Sequence, residues 1–184
     1  ITGQLHNDLA KKQLLVFAAD NGVVAEGVAS TPQIVTLQQT INLTRCKTGA
    51  AVLAARFGCG VTVCDMGVKI PVNDPAVLDR RIAAGTGNIA AGPAMTRAQA
   101  EQAILTGAQI AMEADAALLG IGEMGIGNTT TSSAVLAALL DVDVEAVTGR
   151  GGGLTDDAFV HKKEVIRRAL AVNQPDPSDP VDVL

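Results

Sequence analysis

Three short motifs repeat one pattern along the chain: an acid, any residue, then glycine, each after an aliphatic run. They are Asp20-Asn21-Gly22, Asp65-Met66-Gly67 and Glu123-Met124-Gly125. A single acid-x-Gly is ordinary turn chemistry. Repeated at the carboxyl ends of parallel strands, it brings Asp20, Asp65 and Glu123 to one rim, where open sheets of this kind bind ligands. A rim of carboxylates is suited to proton transfer. Residues 120–125 also spell G-x-G-x-x-G, the spacing of a dinucleotide loop, with Asp141 or Asp143 about 20 residues downstream. Against that reading, Glu123 inside such a loop repels a pyrophosphate.

The residues that follow offer better anion chemistry. Gly127, Asn128, Thr129, Thr130, Thr131, Ser132 and Ser133 stack amides and hydroxyls at a predicted helix N-terminus, where backbone N–H groups and the helix dipole hold a single phosphate. The competing reading is an overcapped buried helix. A second glycine loop runs Gly149-Arg150-Gly151-Gly152-Gly153, ahead of a helix capped by Thr155. On that helix Ala158, Val165, Ile166 and Ala169 form an apolar stripe, and Lys162 falls on it. A lysine there either snorkels to solvent or reaches an anion near the sheet edge. Lys163, Arg167 and Arg168 read as solvated charge.

The elements that must position these groups alternate between short apolar runs and helical periodicity. Residues 14–19 (LLVFAA), 61–64 (VTVC) and 116–121 (AALLGI) read as strands, the first buried on both faces. A weaker fourth strand is expected at 145–147. Thr31-Pro32 reads as a helix cap and first turn, with Ile34, Leu37 and Ile41 at helical spacing, and residues 50–57 continue as a second helical piece. Residues 73–92 carry prolines and glycines and read as an irregular excursion. Thr96 and Gln99 form a capping box before an apolar face of Ile104, Ala108, Ala111 and Met112. Residues 134–140 are apolar on every side, which implies a buried helix. The expected fold is α/β in three layers, Rossmann-like, with a mostly parallel sheet and helices on both faces. Residues 1–172 form one core domain, and the proline-rich residues 173–184 read as a linker toward a further part of the protein. The opening residue, Ile1, points the same way.

Composition narrows the function. The chain has 184 residues, 48% hydrophobic, with three Phe and neither Trp nor Tyr, so its core is aliphatic and stacking platforms for single-stranded nucleic acid are absent. Fourteen basic residues against 19 acids give a net charge of −5, which argues against a phosphate-backbone footprint. No apolar run approaches the roughly 20 residues of a membrane span. Cys46, Cys59 and Cys64 lack metal-ligand spacing, as do His6 and His161, so neither a metal nor a disulfide framework is expected. The cysteines read as small buried apolar residues in a reducing cytoplasm.

Five blocks of sequence carry a resemblance: AADNGVVAEGV from Ala18, STPQIVTLQQ from Ser30, GNIAAGPAM from Gly87, GEMGIGNTTTSSA from Gly122 and RRALAVNQPDP from Arg167. Together they resemble the nicotinate-nucleotide–dimethylbenzimidazole phosphoribosyltransferases of cobalamin synthesis, in order and over nearly the whole chain. The resemblance implies transfer of phosphoribose from nicotinate mononucleotide to dimethylbenzimidazole. The products are α-ribazole phosphate and nicotinate, formed with inversion at the anomeric carbon and without a cofactor. It implies a benzimidazole pocket of Thr31 (serine in the family's usual pattern), Gln39 and Met124. Glu123 is implied beside the reacting centre, and Gly125 and Lys162 on the phosphate, with Asn128, Thr129, Gly149 and Gly151 around the phosphate and ribose. Asn21 stands where the family usually has His. The family's general base, a glutamate of the C-terminal part, is expected beyond Leu184, so this chain alone is expected to be weakly active or inactive. A homodimer is implied as well. The competing readings are a dinucleotide-binding oxidoreductase domain and a non-catalytic binding or assembly module.

Overall fold

The computed structural model describes residues 3 and 5–184. The domain expected over 1–172 includes Ile1, Thr2 and Gln4, which lie outside the described residues. Strands β1 (Lys12–Ala19), β2 (Cys59–Gly67), β3 (Val77–Asp79) and β4 (Leu118–Met124) form one sheet in the order β3-β2-β1-β4. Every pairing in it is parallel. The central strand explains why: Leu15 and Val16 point to opposite faces and both are buried, so β1 needs cover on each side.

Helices α1 (Ile34–Thr44) and α2 (Gly49–Arg56) supply one cover. Their Leu43 and Ala51 pack with Val16, Val63 and Val77, and Met124 closes the edge of this cluster. Helix α3 (Arg97–Glu113) covers the other face, where Ile110 meets Leu15 and Cys64. The fold is therefore the expected three-layer α/β arrangement, with burial of each large aliphatic side chain worth roughly 1.5–3 kcal/mol. A further group of helices, α4 (Asn128–Leu140), α5 (Val144–Val147) and α6 (Asp156–Asn173), gathers against the segment that follows β1. Ile166 packs with Ala134, Ala137 and Val144, while Val165 packs with Val23, Val28 and Ala90. The short α7 (Pro180–Val183) folds back on α3 and α4. Its Val183 is buried, and Asp179 pairs with Arg97 at 2.7 Å.

Several local expectations are corrected. Residues 144–147 are helix, capped by Asp143 through a bond from Glu145 N, and the fourth strand is instead β3, inside the supposed excursion. Its three residues are too few for a visible period. Thr31 does not cap α1, which starts at Ile34 with Gln33 as N-cap and no side-chain cap bond. The face expected for α3 is rotated: Met112 is 86% exposed and Ile104 is exposed, while Ala100 and Ile110 turn inward. Leu136, Leu139 and Leu140 of α4 are likewise exposed. Of the cysteines only Cys64 is buried, its thiol pushed up to about 11 by desolvation. Lys163 and Arg167 pair with Glu145, and Arg168 with Glu26, so none of the three is simply solvated. The capping box of Thr96 and Gln99 and the Thr155 cap form as read. Among the described residues, no helix is long and apolar enough to cross a membrane.

Candidate active site

Sheet register brings the three acid-x-Gly motifs to one edge. Ala18 sits opposite Asp65 on one side and Met124 on the other, and Phe17 opposite Glu123. The edge then treats the three carboxylates differently. Asp65 is 3% exposed, and its Oδ1 accepts the backbone N–H groups of Gly67 at 2.9 Å and Val68 at 2.7 Å. Desolvation raises its carboxyl above the usual range, and those two N–H bonds pull it part of the way back. Asp20, equally buried, accepts Lys69 N at Oδ2 (2.7 Å) and thereby ties β1 to the segment after β2. Both acids hold turns. Only Glu123 stays open to solvent. Loss of part of its hydration lifts its carboxyl above the usual value, against the opposing hydrogen bond from the Asn128 amide.

Glu123 lies within β4, not in a loop as expected, and Gly120 and Gly122 pair inside the same strand with Leu14 and Val16. The G-x-G-x-x-G spacing therefore spans a strand, without the phosphate-facing turn that a dinucleotide requires. Asp141 ends α4 in a left-handed conformation and Asp143 caps α5. Neither stands after a second strand, as a ribose-binding acid does.

The loop from β4 into α4 is the tightest part of the molecule. A side-chain carbon on Gly125 would lie 2.1 Å from Ala19 O and 2.8 Å from Asn21 Nδ2, so only glycine fits. Gly127 turns the chain at φ +90°. Asn21 then clamps this loop: its Nδ2 donates to Ile126 O at 3.3 Å, and its Oδ1 accepts from Thr131 Oγ1 at 3.1 Å. From α1, Thr36 accepts Ile126 N at its hydroxyl at 3.0 Å. Sequence reasoning missed Thr36. The available signal is the row Thr36, Thr40, Leu43 on the buried face of α1.

A chain of hydrogen bonds crosses the start of α4. Asn128 donates from Nδ2 to Glu123 Oε1 and accepts Thr129 N at Oδ1 (2.7 Å). Thr129 Oγ1 accepts from Lys162 Nζ at 2.8 Å, and the same ammonium donates to Gly149 O at 2.9 Å. Lys162 is 0% exposed, so it does not snorkel, and burial holds its ammonium below the usual lysine value. No ion pair reaches it among the described residues. Gly151 crosses close by at φ +55°, where a side-chain carbon would come within 2.8 Å of Thr129 Oγ1 and 3.6 Å of Lys162 Nζ. Ser30 Oγ anchors the same loop through Gly152 O at 3.2 Å. A buried cation beside a helix N-terminus and a glycine loop attracts a compact anion such as phosphate.

The structure thus joins Glu123, Asn128, Thr129, Gly149, Gly151 and Lys162, with Gly125 shaping their loop. It leaves others apart. Thr31 is exposed ahead of α1, and Gln39 is half-buried and bonded to Asn42. Met124 packs into the sheet's core cluster. Asp65 and Asp20 face their own turns. A cavity of about 910 Å³ lies between α3, α4, α6 and the tail and meets this site at Asn21 and Thr131.

Fold and site define an α/β protein with a buried ammonium and two glycine loops at the carboxyl edge of a parallel sheet. A family model described as phosphoribosyltransferase matches residues 1–184, and the chain belongs to that family. It is 46% identical over 187 residues to nicotinate-nucleotide–dimethylbenzimidazole phosphoribosyltransferase of Ruminiclostridium cellulolyticum, covering 100% of this chain and 53% of that protein. The likeness to the protein of the same name from Geotalea uraniireducens is 49% over 188 residues, again with 100% and 53% coverage. Among solved structures, CobT from Thermus thermophilus superposes with a TM-score of 0.89 at 42% identity, over 96% of this chain and 54% of that one. The chain spans about half the length of the curated relatives it matches.

Proposed function

We propose that this chain carries the phosphoribose-binding half of an enzyme that moves phosphoribose from nicotinate mononucleotide to dimethylbenzimidazole. One observation carries the reading: the buried Lys162 ammonium, without a carboxylate partner among the described residues, set against Thr129, Gly149 and Gly151. The 5′-phosphate docks on this group and on the N-terminal turn of α4. At the anomeric carbon the bond to the pyridinium nitrogen breaks, and its electron pair leaves with nicotinate. The azole nitrogen attacks from the opposite face, which inverts the centre. Glu123, bonded to Asn128, stands beside the ribose, where a carboxylate stabilises the positive charge that develops on the sugar. The azole N–H proton then passes to a glutamate from the part of the relatives that this chain does not span. By the family likeness Thr31, Gln39 and Met124 belong to the benzimidazole side, Met124 through the part of its side chain that the core cluster leaves uncovered. The same reading gives a single core domain over 1–172 joined by 173–184 to the remainder, in a cytoplasmic homodimer.

Calorimetry of nicotinate mononucleotide binding to the 184-residue chain is the test. Lys162→Met is expected to weaken it about 10- to 100-fold, the worth of one charge-assisted hydrogen bond. Its melting temperature stays within about 3 °C, because the variant removes a buried charge and not an ion pair. Unchanged affinity in Lys162→Met would place the phosphate elsewhere and remove the reading.

A further inference from the structure

Asp20 presents a second feature that phosphoribosyl transfer does not use. Its Oδ2 is bonded to Lys69 N, whereas its Oδ1, buried with the rest of a residue only 3% exposed, has no hydrogen-bond partner among the described residues. A cavity of about 200 Å³ opens beside it, bordered by Gly22, Gln33, Lys69, Gly85 and Thr86. None of the residues around this cavity is Glu123, Thr129, Gly149, Gly151 or Lys162, so it is separate from the anion site.

Apart from the exposed Lys69, the polar side chains around the cavity offer acceptors. Asp20 contributes a carboxylate oxygen. The Gln33 amide nitrogen already donates to Asn21 O at 3.3 Å, which leaves its oxygen to offer. The Thr86 hydroxyl gives its proton to Gly87 O and accepts from Gly22 N, which leaves one lone pair. An unneutralised buried carboxylate is costly unless a cation or a set of donors meets it. One carboxylate among neutral oxygens suits a single positive charge. Divalent cations draw on several charged oxygens, and no group of three or more acidic, histidine or cysteine side chains able to hold a metal occurs among the described residues. The walls are held rigidly: Thr86 N donates to Asp20 O at 3.0 Å, and Gly85 at φ +84° lies too close to Asp20 O for a side chain to fit without strain.

We propose that this cavity is a binding site for a small monovalent cation, a potassium or ammonium ion, held by Asp20 Oδ1, Gln33 and Thr86. The bound ion ties the end of β1 to the 84–87 loop and to the start of α1. It acts as a structural clamp behind Asn21, which holds the β4–α4 loop.

The test melts the 184-residue chain in KCl, NH4Cl or tetramethylammonium chloride at constant ionic strength. Potassium and ammonium are expected to raise the midpoint saturably, by about 5–10 °C at a hundredfold excess over Kd, and tetramethylammonium, whose four methyl groups keep its charge away from the oxygens and leave no N–H to donate, has no effect. Asp20→Asn is expected to abolish the response, and a response that persists in it overturns the proposal. Should Asp20→Asn fail to fold, Gln33→Leu keeps the carboxylate and removes one acceptor. A half-saturating cation concentration raised about tenfold supports the site, and an unchanged one overturns it. Equal midpoints in all three salts overturn it too, whether water or the Lys69 ammonium fills the cavity. A response that appears only in Lys69→Met assigns the place to Lys69 itself and likewise removes the external cation.

Discussion

The ends of β2 and β4 begin from the same short motif and reach opposite outcomes. At the end of β2, Asp65 turns inward and accepts two backbone N–H groups of its own turn. At the end of β4, the turn is secured from outside, by Asn21 and Thr36, which bond Ile126 across separations of 105 and 90 residues. Glu123 is therefore not needed to close its own turn, and its carboxylate stays open at the rim beside Asn128. A carboxylate is free for chemistry where other residues satisfy the backbone around it.

The largest effect expected from this difference is at Gly125. Gly125→Ala drives a methyl group into Ala19 O and is expected to cost about 3 kcal/mol or more in urea denaturation. Gly149→Ala, which meets nothing within 4 Å, stays within about 0.5 kcal/mol. Comparable losses would mean that the β4–α4 loop is not the tight one.

Next comes the exchange of roles between the two acids. Asp65→Ala leaves two buried N–H groups unpaired and is expected to cost about 2–3 kcal/mol. Glu123→Gln is expected to change stability by about 0.5 kcal/mol or less, while it lowers kcat for phosphoribosyl transfer in a full-length relative carrying the same change. Equal stability losses in the two variants would erase the contrast. Thr36→Val sharpens it from the supporting side: about 1 kcal/mol is lost as Ile126 N loses its acceptor, and amide exchange is expected to accelerate at Ile126 while it stays slow at Val68.

The smallest effect is the pH dependence. Glu123 has its carboxyl raised by desolvation, so between its ordinary value of 4.5 and the raised one the folded chain binds the proton more tightly than the unfolded chain does. This contribution to stability is fully present below 4.5 and is lost as pH rises through the folded value. Lys162 has the opposite sense. Its ammonium is held down by burial, so its charging opposes folding below the depressed value, and stability recovers as pH rises through that value toward the ordinary 10.5. Melting curves of wild type, Glu123→Gln and Lys162→Met across pH are expected to lose one slope each. A Glu123→Gln curve parallel to wild type would show that Glu123 is fully hydrated.

Much of the architecture was legible because it rests on local rules. The LLVFAA run announced a strand buried on both faces, and the Thr96–Gln99 and Thr155 caps announced α3 and α6. Orientation was harder to read. The apolar face assigned to α3 missed because Ile110, rather than Ile104 or Met112, is the residue that reaches Leu15 and Cys64. The strand expected at 145–147 failed because only Val147 favours a strand, while Glu145 and Ala146 are good helix formers and fit a helical turn once Asp143 caps it. At the site, glycine spacing and helix position singled out Thr129, Gly149 and Lys162, which the structure joins by hydrogen bonds. Nothing in the spacing, however, distinguishes an acid that closes its own turn from one that does not.

The sequence by itself determined the strands β1, β2 and β4, the helices α3 and α6, the aliphatic core and the two glycine loops, since these follow from periodicity, caps and the absence of side chains over a few neighbouring residues. Tertiary structure alone decided that, among the described residues, Lys162 is buried without a countercharge, Asp65 closes its own turn while Glu123 is left open, and Asp20 retains one unpaired oxygen. Each of those outcomes depends on where the remaining donors and acceptors fall, and segments tens of residues away supply many of them. Lys69 meets Asp20 across 49 residues and Lys162 meets Thr129 across 33. Hydrogen bonds act over about 3 Å in space with no regard for distance along the chain.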